Sequence, residues 1–430
     1  MSRPRVPSLL SLIALGLTGC GEQGPPNPEG PHSTATASPY LYVWAGDADA
    51  AEGDSDFLLV VDVDPESDSY GAVLSTAPVG SAGNDPHHAE PVAPRDGLLF
   101  ANGFMSNRTF LFDLSEPTAP AFVRELDPIA GYSYIHSFLR TEDGVVLATL
   151  QNGDGSRPDD VGGLAKFDAR GNLVSVTSAV DSDANLPMVR PYALEIFEDI
   201  DRVVTSSFAM SMERSANVVQ IWRLSDLALL KTLPLPAVPA AEGPECYSEQ
   251  AFEENGCRPV QVPGHDRPFE VRRLTDDSAI LNTIPCAFYR VSDLAGDPRV
   301  DLLVNWPEEF GCMVPTRVGH LYMIPNMMAD QIITLDLSDP EHPVERARLT
   351  MEPHRMPHWL QADPGADRVV LTGVGHDGGM VRIYHVDTAS GELTLDQRFE
   401  AAFSMNPGRW PHGPSGPAEP HAALFGRGDR

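Results

Sequence analysis

The chain has 430 residues, of which 61 are acidic and 30 are basic, so its formal net charge is −31 at pH 7. A charge of this sign repels nucleic acid and anionic lipid, which argues against binding to either and is compatible with cations or neutral substrates. Beyond residue 20 no segment is long and apolar enough to span a bilayer as a helix.

The N-terminal segment has the form of an export signal. Arg3 and Arg5 precede an apolar run from Leu9 to Leu17, which is too short to cross a bilayer as a mature helix. The Leu-Thr-Gly-Cys that follows matches a bacterial lipobox, so we expect residues 1–19 to be removed and Cys20 to carry lipid. An ordinary signal with an incidental cysteine is the alternative. The segment predicts a lipid-anchored protein of the bacterial cell envelope, on the periplasmic side or at the outer membrane.

Residues 20–39 are rich in Pro, Gly, Ser and Thr. Such a composition cannot bury apolar surface, and it predicts a flexible tether after the lipidated cysteine. The remaining residues, 40–430, exceed the usual size of a domain with one core, but they suit a repeat architecture.

From residue 40 onward the sequence repeats one β-rich pattern. An apolar strand, a short turn and a second strand recur seven times at spacings of roughly fifty residues. The seven copies begin at Leu58, Thr109, Leu164, Val219, Ala287, Ile332 and Val381. Each copy is typical of the outer hairpin of a four-stranded sheet, and seven such sheets around an axis form a β-propeller. We therefore predict an all-β, seven-bladed propeller; an immunoglobulin-like array is the alternative, although its domains would be about twice as long.

A second motif falls where the inner strand of each blade is expected, before the outer hairpin. It supplies segments at His87–His88, His136, Tyr192 and Phe269, after Cys312, and at His358. The hairpin from Leu58 has only the tether before it, whereas a seventh such segment, EPHAALF around His421, lies near the C-terminus. We predict that this C-terminal strand closes the ring by completing the N-terminal blade.

Histidines fill this inner position in four of the seven predicted blades: His87 and His88, His136, His358, and His421. Because equivalent positions in a propeller surround its axis, we expect these five imidazoles to share one central pocket. Neutral imidazole is the commonest protein ligand for Cu, Zn, Ni and Fe, so the pattern predicts a metal site. The alternatives are a catalytic histidine without metal, or polar strand ends that hydrogen-bond to loop carbonyls.

Two further residues are candidates for the same pocket. Glu90 lies two residues beyond His88 and could ligate the metal or orient an imidazole; it could equally lie in solvent. His412, in a Gly- and Pro-rich stretch, is a candidate for the pocket wall, with packing inside its own loop as the alternative. No nucleophile elbow, phosphate-binding glycine loop or dinucleotide fingerprint is present, so the sequence identifies no separate catalytic residue.

Four cysteines follow Cys20, and an exported chain is expected to form disulfides. Cys246 and Cys257 lie within one Pro- and Glu-rich insertion at residues 236–267, and we predict that they pair. A bond between Cys286 and Cys312 follows by elimination, with two buried free thiols as the alternative.

The chain resembles the selenium-binding protein / methanethiol oxidase family. The similar stretches extend over most of the chain after the tether and include DFLLVVDVDPES, DPHH, RPFEVRRL, LDLSDPEHP, MPHWLQAD and GPSGPAEPHAALF. The family fold is a seven-bladed propeller, in agreement with the repeat count. The resemblance implies a copper-dependent oxidase that converts methanethiol, O₂ and water to formaldehyde, hydrogen sulfide and hydrogen peroxide.

The resemblance also implies a ligand set, and the chain departs from the family pattern near its first strand. The copper-binding residues would be His87, His88, His136, His358 and His421. The family's selenium-associated cysteine is replaced at or near Ala45, so no thiol is expected there. The alternative function is a non-catalytic propeller on the cell envelope that binds metal or selenium or serves as an interaction platform; no protein partner is predicted.

Overall fold

The computed structural model describes residues 36–48, 53–94, 97–153, 161–184, 186, 188–210, 215–236, 245–246, 258–259, 267–374 and 379–427. All of these belong to one of two compact units of the chain, Ala35–Arg430. The predicted signal segment, the lipidated Cys20 and the tether up to residue 35 lie outside the described residues. Within the described residues, no helix has the length and apolarity needed to cross a membrane.

The described chain forms seven four-stranded antiparallel sheets, which we number as blades in chain order. Blade 1 begins with β1 (Tyr40–Asp47), β2 (Phe57–Asp62) and β3 (Val73–Pro78). Blade 2 comprises β4 (Pro86–Ala89), β5 (Leu98–Gly103), β6 (Arg108–Asp113) and β7 (Ala121–Glu125). Blade 3 comprises β8 (Tyr132–Arg140), β9 (Val146–Gly153), β10 (Gly163–Phe167) and β11 (Leu173–Ser178).

The next two blades flank the cysteine insertion. Blade 4 comprises β12 (Pro191–Phe197), β13 (Arg202–Ser207), β14 (Val218–Arg223) and β15 (Leu229–Pro234). Within the insertion, β16 (Glu245–Cys246) and β17 (Arg258–Pro259) pair in parallel. Blade 5 comprises β18 (Pro268–Thr275), β19 (Ser278–Thr283), β20 (Ala287–Ser292) and β21 (Arg299–Asn305).

The last two blades precede the closing strand. Blade 6 comprises β22 (Thr316–Val318), β23 (Leu321–Asn326), β24 (Gln331–Asp336) and β25 (Val344–Thr350). Blade 7 comprises β26 (Pro357–Ala362), β27 (Arg368–Gly373), β28 (Met380–Val386) and β29 (Leu393–Leu395). A short helix, α1 (Gln397–Ala402), follows β29, and its first turn is capped by the side chain of Asp396.

The ring closes as the sequence predicts. The last strand, β30 (Ala418–Phe425), pairs antiparallel with β1, so blade 1 has the order β3-β2-β1-β30. The chain segment before β1 strengthens this closure from the side of blade 7. Arg368 donates to the Asp363 carboxylate and to the Ser38 and Val63 carbonyls at 2.6 to 2.8 Å, all in buried positions. The C-terminal strand and the segment before β1 therefore both join the first blade to the last.

Apolar side chains fill the space between blades. Trp44 of blade 1 packs against Phe110 and Phe112 of blade 2, with ring centroids 5.5 and 5.4 Å apart. Phe100 of blade 2 packs against Phe167 of blade 3 at 5.8 Å. Each fully buried side chain of this size contributes about 1.5–3 kcal/mol to stability, so the interfaces between blades hold the inner strands in place.

The structure also tests the cysteine predictions. Cys286 and Cys312 form a disulfide, which joins the turn before β20 in blade 5 to the segment before β22 in blade 6. The predicted bond between Cys246 and Cys257 lies outside the described side chains. The prediction made by elimination is therefore confirmed, and the other one stays a prediction.

Candidate metal centre

The inner strands carry a common backbone irregularity at the positions that the sequence singled out. Of the seven inner strands that the structure describes, six shift register at this position: β30, β4, β8, β12, β18 and β26. In β4, for example, Pro86 pairs with Gly103 and Ala89 with Ala101, so His87 and His88 both face Asn102. Such a β-bulge places an extra residue in the strand and re-aims its side chain.

The bulges decide which residues meet at the centre of the ring. The first bulge position holds His421 in blade 1, His87 in blade 2, His136 in blade 3, Tyr192 in blade 4 and Phe269 in blade 5. The second position holds Ala422, His88, Ser137, Ala193 and Glu270 in the same blades. In blade 7, His358 is the single extra residue of β26. The histidines thus come from four consecutive blades, 7, 1, 2 and 3.

Asn102 holds two of these bulges. Its side-chain oxygen accepts a hydrogen bond from the His88 N–H at 2.6 Å, and its amide donates to the Ile135 and His136 carbonyls at 2.6 and 3.1 Å. Asn102 is fully buried. It therefore fixes the backbone of both histidine-bearing bulges of blades 2 and 3.

In other blades too, the strand next to the inner strand carries a polar residue that hydrogen-bonds to the backbone of a bulge. Thr149 accepts from the Ser137 N–H at 3.0 Å and donates to the Tyr192 carbonyl at 2.7 Å. Thr372 donates to the His421 carbonyl at 2.6 Å. These residues were not predicted, although a signal was present. A polar residue lies opposite the bulge in five of the six bulged blades, and the exception is blade 1, where Trp44 has this position.

The five imidazoles form one contiguous cluster. The Nε2 atoms of His87 and His136 lie 3.0 Å apart, and the same distance separates the Nε2 atoms of His358 and His421. The His87 ring joins the two pairs, because its centroid lies 4.1 Å from that of His421. One ring nitrogen each from His87, His88 and His136 lies within 4.8 Å of the other two, a spacing that can hold a metal ion.

Hydrogen bonds orient the imidazoles of blades 2 and 3. The Nδ1 atom of His136 lies 3.1 Å from the Tyr192 carbonyl, which can only accept, so Nδ1 carries the proton and Nε2 keeps its lone pair. The Ser137 hydroxyl lies between His136 Nδ1 and His88 Nδ1, at 2.9 and 3.1 Å. Partners of this kind fix the tautomer and ring direction of metal-binding histidines.

Several imidazole nitrogens have no protein partner. Among the described residues, His88 Nε2, His358 Nδ1 and His421 Nδ1 are buried without a hydrogen bond. A buried polar atom without a partner costs about 1–3 kcal/mol, so three in one cluster call for a ligand. A metal bound by one lone pair of each neutral imidazole would give such rings a partner, and the donor set therefore fits a metal that prefers imidazole.

Burial keeps the cluster neutral. Burial lowers the pKa of His136 to about 3 and that of His358 to about 4. The pKa values of His87, His88 and His421 also fall well below the ordinary value, first through burial and then through the neighbouring imidazoles. At neutral pH all five side chains are therefore neutral, which is the form that ligates metals.

Aromatic side chains complete the wall. The Tyr192 ring lies 3.9 Å from His136 and 4.4 Å from Phe269, measured between centroids. Trp359 lies 4.9 Å from His88, and Phe104 lies 5.3 Å from His87. The centre thus has a histidine side from blades 7, 1, 2 and 3 and an aromatic side from blades 4 and 5.

Two candidates from the sequence lie elsewhere. The Glu90 carboxylate forms an ion pair with Arg140 at 2.8 Å and accepts from the Phe100 N–H at 3.0 Å, so its geometry does not support the predicted role at the metal. His412 lies against the outer strands of blade 1, where its Nδ1 atom is 2.8 Å from the Thr76 hydroxyl and its ring 4.7 Å from Phe57. The expectation that His412 lines the pocket is therefore wrong, because the path of its connection brings it to β2 and β3.

Comparison with known proteins agrees with the resemblance read from the sequence. The chain is 29% identical over 219 residues to a methanethiol oxidase from Hyphomicrobium sp, covering 46% of this chain and 49% of that protein. It is 28% identical over 120 residues to a methanethiol oxidase from Ruegeria pomeroyi, covering 27% of each chain. The findings support the selenium-binding protein / methanethiol oxidase family. The matched region thus spans about half the length of the first relative and about a quarter of the second.

The fold has a counterpart among solved structures. A hypothetical selenium-binding protein from Sulfolobus tokodaii superposes with a TM-score of 0.68 and 14% sequence identity, covering 92% of this chain and 95% of that chain. At this identity the likeness concerns the fold. No protein-family model matches the chain. The predicted propeller is confirmed, and the sequence matches support the predicted family.

Proposed function

We propose that this protein is a copper-dependent oxidase of a small thiol, with methanethiol, O₂ and water as reactants and formaldehyde, hydrogen sulfide and hydrogen peroxide as products. The observation that carries the proposal is the cluster of five neutral imidazoles with three unpartnered, buried nitrogens. The matches to two methanethiol oxidases support the same activity.

The metal ligands in this proposal are His87, His88, His136, His358 and His421. Imidazoles select copper, zinc, nickel or iron rather than magnesium or calcium, and the reaction requires a redox-active metal. When bound, copper would supply a soft site for thiol sulfur and an electron acceptor on the way to O₂.

The chain itself orients and encloses this centre. Asn102 and Ser137 fix the imidazoles of blades 2 and 3, so little reorganisation is needed when the ligands bind. Tyr192, Phe269 and Trp359 are buried beside the imidazoles and would form an apolar wall suited to a methyl group. The net charge of −31 disfavours anionic thiols, so a neutral thiol of methanethiol size should react and glutathione should not.

We also propose that the protein acts on the cell envelope, held by lipid at Cys20. The export signal and lipobox motivate this location. A Cys20→Ser protein should lose membrane association and appear in the soluble periplasmic fraction. Equal membrane retention of the variant would contradict the anchor.

Oxygen consumption tests the proposed activity. Copper-loaded protein is mixed with methanethiol while O₂, peroxide and sulfide are followed, and glutathione is tested in parallel. His88→Ala should lose the activity, whereas His342→Ala should keep it, because His342 is an exposed residue paired with Asp339. If the protein retains copper and consumes no oxygen with methanethiol, the proposed oxidase activity is wrong and the alternative, a non-catalytic metal-binding propeller, is supported.

A further inference from the structure

Glu270 occupies a position in blade 5 that is equivalent to that of His88 in blade 2. In β18, Pro268 pairs with Thr283 and Val271 with Leu281, so Phe269 and Glu270 form the bulge. In a ring of seven blades, blade 5 lies across the axis from blades 1 and 2. The bulge of β18 therefore lies across the ring from the bulges that carry His421, His87 and His88.

The carboxylate of Glu270 is buried, and only one of its two oxygens accepts a hydrogen bond. The residue is 1% exposed. Its Oε2 atom accepts from Arg272 Nη1 at 2.6 Å, while its Oε1 atom has no hydrogen-bond partner among the described residues. A buried carboxylate oxygen without a donor is costly, and such groups are found at functional sites.

Glu270 is electrostatically coupled to tyrosines, one of which belongs to the aromatic side of the centre. Burial, followed by the charge of Glu270, raises the pKa of the Tyr192 phenol, and Glu270 acts in the same direction on Tyr322. Tyr192 in turn lies against His136. Besides these phenols, the charged groups coupled to this site are Arg272 and, through Arg272, Glu195.

The environment suits a group that accepts a proton. Burial raises the pKa of Glu270, while the charge and hydrogen bond of Arg272 oppose that rise. The carboxylate is thus held in place by Arg272 through one oxygen, and its other oxygen is more basic than a carboxylate in water.

We propose that Glu270 is the general base that removes the proton from the substrate thiol, an assignment that rests on the proposed function. The S–H bond breaks, its electron pair remains on sulfur as a thiolate, and the proton forms an O–H bond with Glu270 Oε1. The carboxylate becomes a neutral carboxylic acid, and no electron leaves the substrate in this step. Glu270 would then be a catalytic residue that provides the thiolate on the side opposite the histidines.

Kinetics with thiols of different acidity provide the first test. The Glu270→Gln protein should keep its copper and lose about 10²- to 10⁴-fold in kcat/KM with methanethiol. The loss should shrink with a more acidic thiol such as trifluoroethanethiol, which needs less help to ionise. Glu270→Asp should recover part of the rate. Glu341→Gln, which removes an exposed carboxylate that also pairs with an arginine, Arg290, is the matched control and should retain the wild-type rate.

Calorimetry provides a readout that does not depend on turnover. Protein loaded with redox-inert zinc is titrated with methanethiol in buffers of different ionisation enthalpy, which counts the protons released. The wild-type protein should keep the thiol proton on Glu270 and release almost none. The Glu270→Gln protein should release about one proton, because no base remains to hold it.

The outcomes separate the two proposals. Equal rates for wild type and Glu270→Gln, the same loss for thiols of every acidity, or equal proton release would each overturn the assignment of Glu270. A wild-type protein that binds copper and neither binds nor oxidises methanethiol would instead overturn the proposed function.

Discussion

Replacing Asn102 by Ala should destabilise the bulges that carry His88 and His136. The substitution removes one acceptor and one donor group, which leaves the His88 N–H and the carbonyls of Ile135 and His136 without their partner. These groups lie where water cannot easily replace the amide, because Asn102 is fully buried. The two carbonyls share one amide group and are counted together. At about 1–3 kcal/mol for the orphaned donor and the same for the orphaned acceptors, we expect a loss of about 2–6 kcal/mol in the free energy of unfolding.

The same change should weaken metal binding. Residues that orient metal-binding histidines typically contribute 10- to 100-fold to affinity, so we expect a decrease of about that size in the copper affinity of Asn102→Ala. Urea denaturation of the metal-free protein measures the stability, and competition with a copper chelator measures the affinity. The control is Asn172→Ala, which removes an exposed amide that donates to Asp168 and should change stability by less than about 0.5 kcal/mol.

Two results would refute this reasoning. If Asn102→Ala unfolds at the wild-type urea concentration, the three hydrogen bonds do not hold the bulges. If stability falls while copper affinity stays unchanged, the imidazoles are positioned by something other than the bulge backbone.

Two further predictions concern the closure of the ring and acid stability. Deleting Pro417–Arg430 removes β30 and exposes the edge of β1, so blade 1 should unfold and the thermal midpoint should fall; a wild-type midpoint would show that β30 is dispensable. Burial alone would raise the pKa of Asp336, but hydrogen bonds from Ser338 and Arg346 outweigh it and lower the pKa to about 2. Because this pKa lies below the ordinary value of 3.8, Asp336 stabilises the fold above pH 3.8, and the stabilisation disappears as the pH falls to about 2. Asp336→Asn should therefore be less stable than wild type at neutral pH, and the difference should shrink as the pH falls from about 4 through about 2; a constant difference across this range would contradict the assignment.

The blades could be predicted from the sequence because their outer hairpins are determined by local sequence patterns. Alternating apolar residues and turn residues define each hairpin, and all seven predicted copies lie in the outer strands, from Leu58 in β2 to Val381 in β28. The closing strand could also be predicted, since the first hairpin had no inner strand before it. Without an inner strand, β1 would expose an unpaired edge, and the C-terminal segment with the same motif was the candidate to pair with it.

The details of the centre could not be predicted in the same way. A bulge adds one residue to a strand, and neither propensity nor periodicity reveals it. Only the strand register therefore showed that Glu270 in blade 5 and His88 in blade 2 occupy equivalent positions. The position of His412 depends on a Gly- and Pro-rich connection whose path local patterns do not define. Glu90 was placed near the histidines in sequence, but Arg140 of the next blade competes for its carboxylate.

The copper content of single-histidine variants tests the central claim most directly. The claim is that imidazoles from blades 7, 1, 2 and 3 hold one copper ion. Protein matured with copper is purified and its metal measured, for wild type and for His136→Ala, His358→Ala and His421→Ala. We predict about one copper per chain in wild type and a reduced content in each variant, with the propeller still folded by circular dichroism. Full copper retention in His358→Ala and His421→Ala would contradict the claim, because these residues come from the last blade and the closing strand.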